Sequence, residues 1–155
     1  MRLVFLGVLP LLLATGPAAA VDVNFSGTLT GSCSLGLTVP GTLALSVNGE
    51  RLGSEETGGT PATLTVLSIG SNTVTVGAPT RTASPGGYNA TGESIEVAYT
   101  GQGALSAITE PYGSASTDFD VTSLPLTNLI FNARINNANG FDAGTYGVRT
   151  VVTCS

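Results

Sequence analysis

The chain has 155 residues, with ten acidic side chains against five arginines and no lysine, histidine or tryptophan. An acidic chain without lysine offers no basic stripe for phosphates, which argues against nucleic-acid binding. Without histidine or lysine, the commonest general bases and the usual activators of a serine nucleophile are missing, so no enzyme activity and no catalytic residue is expected.

Met1 and Arg2 form a short positive segment. A twelve-residue apolar run follows from Leu3 to Ala14, too short to cross a bilayer, and then small residues from Pro17 to Ala20. This reads as a secretory signal, residues 1–20, cut after Ala20. Residues 21–155 then read as a single domain of 135 residues, with four arginines, ten acids and a net charge of −6. No second long apolar run suggests a membrane span. In a secreted chain the two cysteines, Cys33 and Cys154, read as one disulfide; two free thiols are the alternative.

The apolar residues alternate almost throughout. Val21, Val23, Phe25, Leu29, Cys33, Leu35, Leu37 and Val39 share one parity, which predicts a half-buried strand bent near Gly31. Thr42 to Val47 repeats the pattern, Asn48-Gly49 is a tight-turn pair, and a polar connection runs on to Pro61. "ATLTVLSIG" and "NTVTVGAP" predict two strands joined as a hairpin around Gly70 to Asn72, followed by a long loop from Thr80 to Gly92. "ESIEVAYTG" sets Ile95, Val97 and Tyr99 on one face. Residues 102–117 hold at most one short strand, and "FDVTS" is another. "LTNLIFNARIN" turns Leu129, Phe131, Ala133 and Ile135 one way. A turn at 136–144 leads to the last strand, with Tyr146, Val148, Val152 and Cys154 on one face. The expected fold is all-β, an antiparallel β-sandwich of about seven to nine strands.

The chemistry-bearing groups have plain readings. Asp118 and Asp120 are two carboxylates on one strand face, as paired-carboxylate hydrolysis would need, but they read as a charged edge that keeps a strand soluble. Asn136, Asn137, Asn139 and Asp142 form an oxygen-rich loop without the spacing of a calcium-binding hand. Glu55 and Glu56 lie in a glycine-rich turn. Tyr88 and Tyr112 are loop tyrosines that fit either packing or contact with a sugar or protein. No metal and no cofactor is expected.

The two ends carry a family resemblance. Val23, Phe25, Gly27 and Cys33, in "VDVNFSGTLTGSCSLG", resemble the first strand of bacterial chaperone–usher pilin subunits and of the related archaic, spore-coat-U-like secreted domains. Gly144 and Tyr146, in "DAGTYGVRTVVT", resemble the opening of their last strand. The resemblance implies an immunoglobulin-like, pilin-like sandwich, export to the periplasm, cell surface or a fimbrium, and a structural role in cell adhesion. It also implies partners: other copies or pilin-like subunits, and a periplasmic chaperone. In such subunits a strand from another chain completes the sheet. The assembly residues it marks here are Val21, Val23, Phe25, Leu29, Gly144, Tyr146, Val148 and Val152.

Three departures accompany it. The family pairs its first cysteine with one at the end of the second strand, where this chain has Leu67 and Ser68. Twelve residues, Val21 to Ser32, precede Cys33, and the expected first strand uses nearly all of them. The chain also ends in Cys154-Ser155 rather than beside a tyrosine. A Cys33–Cys154 bond would make the first and last strands direct neighbours, with little room for a donor strand beside them. The expected function is an exported fimbrial-type subunit. The alternative is a self-complete, monomeric immunoglobulin-like domain that binds a surface glycan or protein.

Overall fold

The computed structural model describes residues 26–27, 31–102, 107–122 and 127–155. These residues are all β and turn, and every strand pairing among them is antiparallel. Twelve short strands, β1 to β12 in chain order, replace the seven to nine expected, because several long alternating stretches are broken.

The larger sheet is built around β10 (Thr127–Asn136). One edge of β10 pairs along its length with β7 (Ser94–Gln102), which pairs in turn with β8 (Ala107–Gly113). Its other edge is shared. Residues 127–131 pair with β4 (Ala62–Ile69), and residues 134–136 with β3 (Arg51–Gly53). Beyond β4 lies β1 (Ser32–Val39), and beyond β3 the two-residue β2 (Ala44–Leu45). Strand β3 falls inside the stretch expected to be a polar connection. Asn48-Gly49 turns the chain there, Gly49 at φ 75° with its N–H donated to the Ser46 carbonyl, and the return strand buries Leu52.

The second layer consists of β9 (Thr117–Thr122), β5 (Ser71–Val76) and β12 (Val152–Cys154), in the order β12-β5-β9. Its upper continuation is β6 (Thr80–Ala83) paired with β11 (Gly147–Arg149), where sequence reading expected a loop. The expected last strand is therefore two strands. The join at Thr150-Val151 faces Gly77, whose N–H is donated to the Val151 carbonyl at 2.8 Å and whose carbonyl accepts the Thr150 hydroxyl.

The expected hairpin of β4 and β5 is not formed. β4 belongs to the larger sheet and β5 to the second layer, so the chain changes layers at Gly70, φ 82°. Alternation is compatible with the change. Both strands present buried residues to a common interior, and a flat hairpin would bury them in a single layer.

The core lies between the layers. Leu64 and Val66 of β4, Val97 and Tyr99 of β7, and Leu129 and Phe131 of β10 meet Val74 and Val76 of β5 and Val121 of β9. Tyr99 packs on Phe119 and Phe131 at ring-centroid separations of 5.6 and 5.2 Å. Burying such side chains contributes about 1.5–3 kcal/mol each. This sandwich-like packing follows the parities read from the sequence.

Candidate strand-acceptor groove

Cys33 and Cys154 are bonded, with Cα atoms 6.0 Å apart and 121 residues between them. Both half-buried side chains pack against the core. The expectation that β1 and β12 would be direct neighbours needs correction. β12 pairs with β5 and β1 with β4, so the bond joins edge strands of two different layers. In the β1–β4 ladder Cys33 stands opposite Ser68. Ser68 is buried, donates its hydroxyl to the Val121 carbonyl at 3.2 Å and accepts from the Asn72 amide at 2.7 Å.

Away from the bond, the same two edges separate. A groove of about 610 Å³ opens between Leu37 and Pro40 on one side and Tyr146, Val148 and Val152 on the other, over a floor that includes Leu64 and Phe131. The expectation of little room for a strand therefore holds at the cysteines and fails above them.

Both walls are free backbone edges among the described residues: β1 pairs only with β4, and β12 only with β5. Ser155 exchanges both backbone bonds with Thr73, and the Val151 carbonyl accepts from Gly77. In an antiparallel ladder the bonded residues alternate, so the Val152 backbone turns away from β5, toward the groove. Leu37 carries the inward parity of Cys33 and Leu35 and pairs with Leu64, yet it is 66% exposed.

Tyr146 lines the far end, which stays open. Its hydroxyl is donated to the Asp142 carbonyl at 3.0 Å, and its ring meets Tyr88 edge-on at 5.1 Å and Phe141 at 5.3 Å. Gly144 packs against Pro85; a Cβ there would lie 3.0 Å from the Pro85 Cβ. Tyr88 stacks on Phe141, donates its hydroxyl to Glu93 at 2.7 Å and lies under the Arg81 guanidinium. Burial, reinforced by the bond to Glu93, pushes the Tyr88 phenol up to about 12.

The other sequence candidates are occupied elsewhere. Tyr112 donates to Glu55 at 2.6 Å beneath Arg134, and burial and Glu55 raise its phenol. Glu56 pairs with Arg51. Asp118 and Asp120 are exposed on β9, with Phe119 and Val121 turned inward between and beside them. Asn137 is buried, donating to the Tyr88 hydroxyl and the Asn89 carbonyl and accepting from the Asn139 N–H. These oxygens hold a turn together and do not converge on a common point. Val21, Val23, Phe25 and Leu29 lie outside the described residues.

The groove itself was missed at the sequence level. Its one legible signal was Leu37, an apolar residue of inward parity; among the described residues β1 has no neighbour on its outer edge. Comparison with models of protein families, with curated proteins and with solved structures found no match.

Proposed function

We propose that this chain is an exported structural subunit of pilin-like architecture, and that the groove between β1 and β11–β12 takes a β-strand from another chain. The observation that carries this is the exposure of Leu37 between two backbone edges that are unpaired among the described residues. A strand laid there bonds to both edges, and covering Leu37 gains up to about 2 kcal/mol. A small-molecule pocket of this volume would not need backbone edges for both walls.

Further features support the family reading. On this reading the orders β1-β4-β10-β7 and β12-β5 correspond to strands of an immunoglobulin-like plan, with no final strand among the described residues. The bond from Tyr146 back to Asp142 has the form of that plan's tyrosine corner. Cys33 faces Ser68, where the second-strand cysteine of pilin subunits would stand. On this reading residues 1–20 direct export, other copies and a periplasmic chaperone are the partners, and the assembled material lies at the cell surface as an adhesive fibre.

Size-exclusion chromatography and electron microscopy of the mature protein across a concentration series test the proposal. Concentration-dependent oligomers or fibres are expected. Monomers at every concentration would overturn it and favour the self-complete binding domain.

A further inference from the structure

The disulfide lies at one end of the groove, and this restricts what can fill it. Adjacent strands are about 4.8 Å apart, so a strand seated between two others holds them about 9.6 Å apart. Cys33 and Cys154 are 6.0 Å apart at Cα, and no strand passes between them. The chain enters β1 at this same end. Gly31 sits over the layer-changing corner, where a Cβ on Gly70 would come within 3.2 Å of the Gly31 Cα. A tight reversal at Gly31 would lay the preceding residues beside Cys33, in the place Cys154 occupies.

We infer that the Cys33–Cys154 bond is a stop. It closes the base of the groove to the chain's own N-terminal segment and leaves the open part to residues 21–30 of a second copy. This rests on the strand-acceptor reading above. Those residues carry Val21, Val23, Phe25 and Leu29 on one parity, against Asp22, Asn24 and Ser26 on the other. That pattern suits a strand with one face on an apolar floor and the other in water. A slot closed at one end takes a chain terminus, with the donor's body leaving by the open end at Pro40 and Tyr146. The donor therefore runs parallel to β1 and antiparallel to β11–β12.

The register offers a variant that moves the stop without removing a disulfide. Paired positions in an antiparallel ladder have Cα atoms about 4.5–5.5 Å apart, within disulfide range. Ser68→Cys with Cys154→Ser relocates the bond into the β1–β4 ladder and opens the base. A benzophenone-bearing residue at position 37 then reports which chain fills the groove after illumination. In the native-disulfide protein, links to residues 21–30 are expected between copies, giving covalent dimers and longer ladders on reducing denaturing gels. In the relocated-disulfide protein the tethered segment competes at millimolar effective concentration, so links within one chain should rise by about a hundredfold relative to links between copies. Internal links to residues 21–30 in the native-disulfide protein would overturn the stop, even if the variant does not fold, and so would equal ratios in the two proteins. If position 37 links to no strand in either protein, the acceptor reading itself falls, and the stop with it.

Discussion

Leu37 and Leu64 are partners in the β1–β4 ladder and turn toward the same interior, yet Leu64 is 8% exposed and Leu37 66%. Two residues of one type, at one register position and on one face, differ because the space over Leu37 is open groove. Leu37→Asp should therefore change stability by no more than about 0.5 kcal/mol, as at an ordinary surface site, while abolishing strand uptake. Leu64→Ala should cost about 2–5 kcal/mol through the cavity it leaves. Urea unfolding of both variants, with size-exclusion of Leu37→Asp, checks the contrast. Equal costs would mean that Leu37 is covered within a single chain.

The disulfide closes a loop across 121 residues of sequence. Chain entropy sets its contribution at about 5 kcal/mol at most. Cys33→Ser with Cys154→Ser should lower the unfolding midpoint substantially, and thiol titration of the unfolded native protein should find no free cysteine. An unchanged midpoint would show that the bond does not constrain the unfolded chain.

Tyr146 makes one polar bond, to the Asp142 carbonyl, while its ring packs on Tyr88 and Phe141. Tyr146→Phe should cost about 1 kcal/mol, the net value of one hydrogen bond, and keep the aromatic packing. Tyr146→Ala should cost more, because the ring contacts go as well. Thermal unfolding separates the two; a neutral Tyr146→Phe would show that the corner bond contributes nothing.

The Tyr88 phenol is raised to about 12 by burial and by its bond to Glu93, against about 10 in an unfolded chain. Above pH 10 the unfolded state loses this proton and the folded state keeps it. The associated stability is thus complete below pH 10 and is lost as the pH rises toward about 12. Tyr112 and Tyr99 are raised as well and act in the same direction. Unfolding midpoints from pH 9 to 12 should fall, and Tyr88→Phe should flatten part of the fall. Tyrosinate absorbance at pH 10 in the folded protein that Tyr88→Phe removes would contradict this.

Much of the core was legible from alternation. Val97 and Tyr99, and Leu129, Phe131 and Ile135, are buried with the parities that the sequence assigns them. Layer membership was not legible. "TLTVLSIGSNTVTV" has the pattern of a hairpin and also that of two strands on opposite layers, because parity says which face is buried and not which sheet owns the strand. The short strands β3 and β6 were hidden in polar stretches, where Leu52 and the ladder with β11 supply what local composition does not. At the site, the cysteine pair was readable from the count of two together with the expected export, with two free thiols as the alternative. The groove was not, since it exists through the separation of two edges far apart in sequence.

The most direct test of strand acceptance is hydrogen exchange at the Val152 amide. Its backbone turns away from β5 toward the groove, in a strand whose other bonds run to Thr73, Thr75 and Gly77. It should be measured in dilute monomer with and without a synthetic peptide of residues 21–30. The account predicts rapid exchange in the monomer and strong protection once the peptide is added, with Thr153 protected in both. A Val152 amide already protected in the monomer, and unaffected by the peptide, would contradict it.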